Sequence, residues 1–91
     1  MHYLYLLKSC KVKKFYIGIT NNLKKRIIGH NNGESIYTSR YLPWEIEYCE
    51  AFLSKKDAIN REKALKHHGK GLLELKKRIK YSIKKGAGLN F

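Results

Sequence analysis

The chain is poor in acid. Seven Asp and Glu stand against twenty Lys and Arg in 91 residues, a formal net charge of +13. An imbalance this large on a small domain favours polyanionic partners, because each neutralised phosphate releases condensed counterions. Charge does not separate DNA from RNA. A merely well-solvated or ribosome-associated protein is the plainer alternative. Cysteine is scarce as well: Cys10 and Cys49 lie far apart, and neither belongs to a CxxC pair. Zinc and thioredoxin-like sites therefore have no support. Two reduced thiols are what a cytoplasmic protein would carry, whether free or associated with the nucleoid. No apolar run approaches membrane-spanning length. The stretch from Tyr3 to Leu7 reaches Lys8 too soon for a signal peptide, so no membrane partner is expected.

What the chain does hold is aromatic. Seven tyrosines and one tryptophan argue for a folded core rather than disorder. The length suits one domain, with a compact core and modest stability. No repeat, linker or second-domain boundary is visible. The expected division is a single domain over residues 1–85 and a frayed tail over 86–91.

Patterning predicts the order β-β-α-β-α-α, an α+β fold with a small, three-stranded, mainly antiparallel sheet flanked by helices. His2 to Lys8 read as a strand buried on both sides, joined by a lysine-rich turn to a second strand, Phe15 to Ile19. Asn21 or Asn22 can cap a helix from Leu23 to about Asn31, which Gly33 can end. Glu34 to Tyr41 read as a loop. From Trp44 to Leu53, partial alternation puts Trp44, Ile46, Tyr48 and Phe52 on one face of a third strand and Glu45 and Glu47 on the other. Ser54-Lys55-Lys56-Asp57 has the form of a capping box and opens a helix through His67. Gly69 and Gly71 are expected to break it. A last amphipathic helix then carries Leu72, Leu75, Ile79 and Ile83.

Two placements carry chemistry. Ala58, Glu62 and Leu65 cluster on one side of their helix. A carboxylate in an apolar stripe is costly unless it is paired or holds a cation, so Glu62 is either an ion-pair partner or a ligand. Arg26 and His30 stand four apart on one helix edge. Arg26 offers planar donors that match a phosphate, and His30 otherwise suits a helix C-terminus. Strand tyrosines such as Tyr5 and Tyr16 are usually core. If the hairpin sets them across from each other, both hydroxyls leave one face of the sheet.

Tyr3-Leu4-Tyr5, Tyr16-Ile17-Gly18, Arg26, His30 and Glu62, taken in that order, resemble the GIY-YIG nuclease family. The first motif is degenerate here, while the second reads Tyr-Ile-Gly itself. Ala58, Glu62, Leu65 and Lys66 match the setting of that family's metal-binding glutamate. Gly33, Thr38, Arg40, Pro43, Tyr48 and Glu50 resemble short, single-domain members related to the N-terminal domain of the excision-repair nuclease C subunit, a resemblance that implies a role in DNA repair.

The resemblance implies a metal-dependent DNA endonuclease or nickase with little sequence specificity. In it Tyr16 is general base, directly or through its network, and Tyr5 helps to position the site. Arg26 balances phosphate charge with help from His30, and Glu62 holds one Mg²⁺ or Mn²⁺. A phenol with a reference pKa of about 10 is a poor base at neutral pH, and lysines or a bound cation favour the phenolate. Ile19 stands where some members carry a helpful lysine, and no asparagine occupies residues 76–80. Gly18, Lys24, Thr38, Arg40, Lys66 and Lys70 are the expected nucleic-acid contacts. The strand bound is expected to be DNA, single-stranded or branched, with RNA as a further choice. A non-catalytic, basic nucleic-acid-binding module is the competing class.

Overall fold

The computed structural model describes residues 1–67 and 69–86, the last three of these by backbone alone. Strands β1 (His2–Ser9) and β2 (Phe15–Thr20) are followed by helices α1 (Leu23–Asn31) and α2 (Ile36–Ser39), then by strand β3 (Trp44–Phe52) and helices α3 (Lys55–His67), α4 (Gly69–Arg78) and α5 (Lys80–Gly86). The strands form one antiparallel sheet in the order β2-β1-β3. The central strand is covered on both faces, which explains why Leu4, Tyr5, Leu6 and Leu7 form an unbroken apolar run. Leu4, Leu6 and Ile17 pack against Leu65 of α3 and Leu75 of α4. Tyr5, Leu7 and Trp44 pack on the other face with Leu23 and Ile27 of α1. Each buried leucine contributes roughly 1.5–3 kcal/mol of transfer free energy, so both half-cores hold the sheet.

The third strand does not keep the single apolar face that its alternation predicts. Ile46 pairs with Leu7 and Tyr48 with Leu6, leaving Glu47 as an extra residue in a β-bulge. One inserted residue moves every later side chain to the other face. Tyr48 and Phe52 therefore pack towards α3 and α4, whereas Trp44 packs on the α1 side.

Three helical expectations also change. A short helix, α2, forms within the stretch read as a loop; α3 ends at His67 as expected, but Gly69 and Gly71 lie within the next helix, α4, rather than in a break. A Cβ at Gly71 would meet the Ala64 carbonyl oxygen at 3.3 Å, so the missing side chain lets α4 close on α3. The last amphipathic stretch is two helices, parted at Ile79. Residues 87–91 of the expected tail lie outside the described residues. Other termini follow local chemistry. The Asn22 side chain caps α1 by accepting from the Lys25 amide at 3.1 Å, and Gly33 follows the helix at φ +78°. The Arg61 guanidinium donates to Glu50 at 2.6 Å, fastening α3 to β3 one residue before Glu62.

Candidate active site

The site is built on β1 and β2 and closed by α1. Tyr5 pairs with Gly18 and Leu7 with Tyr16, so the two tyrosines share a face but sit two residues out of line. Their ring centroids are 6.3 Å apart. A Cβ at Gly18 would overlap the Tyr5 hydroxyl and stand 2.6 Å from its Cζ, so the phenol lies flat over the glycine. From there its oxygen accepts from Arg26 Nε at 3.3 Å and meets His30 Nε2 at 2.9 Å. His30 Nδ1 lies 2.8 Å from Thr38 Oγ1, and the Trp44 indole donates to the Thr38 carbonyl at 2.7 Å. Asn31, at the end of α1, brackets the Trp44 backbone, accepting from its amide at 2.7 Å and donating to its carbonyl at 2.9 Å.

The proton order follows from the donors. Arg26 can only donate, so the Tyr5 oxygen accepts there and its own proton points to His30 Nε2. Nδ1 then carries the imidazole proton towards Thr38. This assignment needs a neutral His30. Burial pushes its pKa down, the Arg26 charge adds to that, and Glu34 opposes it. Burial raises the Tyr5 hydroxyl above the ordinary phenol range. The Arg26 hydrogen bond works against that rise, and Tyr16 and Glu62 add to it. Arg26 is held firmly charged, chiefly by its bond to Tyr5 and with help from Tyr16.

Glu62 comes to this region from α3. Its Oε2 is 3.1 Å from Lys66 Nζ one turn on, with the carboxylate side chain 22% exposed. The same ammonium stands 5.8 Å from the Tyr16 ring centroid. Tyr16 and Lys66 both line an open cleft of about 410 Å³.

The sequence matches the family model of the GIY-YIG catalytic domain over residues 1–78. The chain belongs to the GIY-YIG family. A UPF0213 protein of Clostridium perfringens is 46% identical over 67 residues, covering 72% of this chain and 71% of that one. A UPF0213 protein of Bacillus licheniformis is 42% identical over 62 residues, covering 67% and 63%. The chain thus spans less than two thirds of the Bacillus licheniformis relative. The solution NMR structure of a UPF0213 protein from Bacillus halodurans superposes with a TM-score of 0.54 at 30% identity, covering 97% of this chain and 98% of that one. These relatives are short GIY-YIG members, and the family is one of nucleases; the name UPF0213 states no activity.

Within this GIY-YIG domain, several expected site residues take other positions than a substrate contact requires. Tyr5 is 1% exposed, and His30 and Thr38 are fully buried. Tyr5 and His30 therefore reach one another, and Tyr5 reaches Arg26, rather than the surface; Thr38 lies behind His30, away from the surface. Gly18 is buried beneath Tyr5, so the close approach it permits is taken by that ring. Tyr16, Arg26 and Glu62 are half-buried and reach the surface. Lys66 is exposed at the cleft, while Lys24, Arg40 and Lys70 stand exposed on α1, just past α2 and on α4. Two further residues shape the site without a motif to mark them. Asn31 fixes the end of α1 to β3 and leaves no sequence signal beyond its helix-end position. Tyr37, beside Tyr16, lies in the stretch read as a loop, where the apolar pair Ile36-Tyr37 is the available signal.

Proposed function

We propose that the protein is a metal-dependent DNA endonuclease or nickase with little intrinsic sequence specificity. What supports this reading is that Arg26 donates to the buried Tyr5 hydroxyl behind it and lies within reach of Tyr16, while Lys66, paired with Glu62, stands 5.8 Å from the Tyr16 ring. The donor set suits a hard cation. Glu62 offers one half-buried carboxylate next to Lys66 of the cleft, and the described residues hold no cluster of three or more His, Cys, Asp or Glu. Mg²⁺ and Mn²⁺ accept such a site because waters and a phosphate complete the shell. When bound there, the ion would polarise a phosphate or leaving oxygen.

The chain's own groups do the rest. Arg26 sets its fork against the phosphate and balances the charge that builds as water attacks. Tyr16, acting as its phenolate, takes the proton of that water, so an oxygen–phosphorus bond forms while the bond to the leaving sugar oxygen breaks and that oxygen takes a proton from solvent. Lys66 places a positive charge beside Tyr16, where Ile19 supplies none. A non-catalytic binding module is the alternative, and the Glu62–Lys66 ion pair is the observation that favours it.

The test is a cleavage panel of labelled single-stranded, duplex and branched DNA and RNA, with and without Mg²⁺ or Mn²⁺. Metal-dependent cutting of at least one DNA substrate is expected. Glu62→Gln should abolish it, and Tyr16→Phe should slow single turnover by about 10²-fold or more while binding persists. Equal rates in Tyr16→Phe would remove the base assignment. A well-folded wild type that cuts nothing would favour the binding module.

A further inference from the structure

The proposed reaction makes no use of Tyr37, although its ring is a wall of the cleft. The residue is 47% exposed and follows Ile36 at 81%, two large apolar side chains offered to solvent beside a basic site. Its centroid lies 6.1 Å from that of Tyr16 with the planes 32° apart. Tyr41 braces it edge-on at 5.6 Å, and Trp44 stands 6.4 Å beyond Tyr41. The ring is thus held from behind by other rings and left open in front. Leu65, Lys66 and Leu72 line the same cleft.

We propose that this cleft receives an unpaired nucleobase of the DNA strand being cut, with Tyr37 as its stacking platform. The inference rests on the nuclease reading and names the form of substrate. Charge complementarity selects the occupant, because a chain of net charge +13 attracts a phosphate strand and not a basic or neutral peptide. Continuity selects the position: Tyr16 belongs both to the cleft and to the group that would meet the scissile phosphate. A base attached near that phosphate reaches the cleft only when it has left its stack. Every base offers a flat π-face, so stacking on Tyr37 tolerates any sequence. In an intact duplex the bases are turned inward, and the cleft stays empty unless one is extruded. Single-stranded or frayed DNA is therefore the preferred form over continuous duplex.

The experiment measures binding in EDTA, where no cutting occurs. The probes are a labelled thymine strand with 2-aminopurine at each position in turn, the RNA strand of matching sequence, and a blunt DNA duplex. The wild-type chain should quench 2-aminopurine at one or two positions. Tyr37→Ala should lose that quenching and roughly 5- to 150-fold in affinity for the DNA strand, and Tyr37→Phe should restore both. Duplex affinity should not follow Tyr37. If Tyr37→Ala melts early, Tyr37→Leu supplies the same contrast, keeping apolar bulk without a π-face. The proposal is overturned by wild-type affinity and quenching in the alanine or leucine variant, by equal losses on duplex, by Tyr37 dependence confined to RNA, or by a self-associated dimer that Tyr37→Ala dissolves. Failure here with metal-dependent cutting intact removes only the stacking site. Normal stacking without cutting in the metal panel removes the nuclease reading instead.

Discussion

The hydrogen at the Gly18 α-carbon, where other residues carry a side chain, is what lets Tyr5 lie against the β2 backbone and reach His30 and Arg26 together. The Tyr5 hydroxyl is a hub with one obligate donor on one side and a buried imidazole on the other. Tyr5→Phe keeps the ring but leaves His30 Nε2 without its partner, a loss of about 1–3 kcal/mol for a buried polar group. Urea denaturation should show that cost. Where the chain cuts DNA, the rate should fall too, since Arg26 loses the contact that aims it. Gly18→Ala should cost about as much by overpacking, typically 1–3 kcal/mol, because the phenol must move. A variant as stable as wild type would mean that Tyr5 can swing aside freely. The His30 sign is also fixed. Its folded pKa lies below the unfolded value of about 6.5, so the unfolded chain binds more protons between the two. The stability that neutral His30 contributes is complete above about pH 6.5 and declines as pH falls below it. By NMR, the His30 ring should titrate below the free imidazole value.

Elements were legible where one periodicity holds from end to end. Alternation, turn chemistry and caps placed β1, β2, α1 and α3 within a residue of their observed ends. They failed on β3, because an inserted residue leaves no mark in a hydrophobic pattern: the strand reads as continuous while its faces exchange at Glu47. They failed on α4, where Gly71 answers to contact with α3 and not to its weak helix propensity. The bulge has its own consequence. Glu45 and Glu47 each carry a buried carboxylate oxygen without a hydrogen-bond partner among the described residues. Burial foremost, then the Glu45 charge, pushes Glu47 up to about 7, with Lys8 opposing. The folded chain therefore binds more protons than the unfolded chain between about pH 4.5 and 7. Stability from this group is present below about 4.5 and lost as pH rises to about 7, the reverse of His30. Glu47→Gln carries no charge to bury. It should melt with wild type near pH 4.5 and above it at pH 8. A variant that melts lower at pH 8 would show that the carboxylate is welcome in the bulge.

At the scale of the molecule, sequence and structure contribute different halves of the site. Tyr5, Tyr16, Arg26 and Glu62 are spread over 58 positions of the chain. Spacing alone gave each of them a plain structural alternative, and only the likeness to a family grouped them. Which of them face solvent was not legible, since burial of Tyr5, His30 and Thr38 depends on α1 and α2 closing over the sheet. Net charge, by contrast, needs no fold to be read, and it governs binding rather than chemistry. For a single strand, log affinity should fall linearly with log salt at a slope of roughly 0.7 per phosphate neutralised. Tyr16→Phe leaves every cation in place, so it should share the wild-type slope even where its cutting rate has collapsed. Replacing the exposed Lys24, Arg40 and Lys70 together by Gln removes three cations without touching the Tyr5 network. If all three meet phosphates, the slope should drop by roughly 2. Anisotropy titrations of a labelled single strand at several salt concentrations measure both variants on one plot. A triple variant that keeps the wild-type slope would show that the strand runs elsewhere on the basic surface, and a changed slope in Tyr16→Phe would show that this residue helps to hold the strand as well as to cut it.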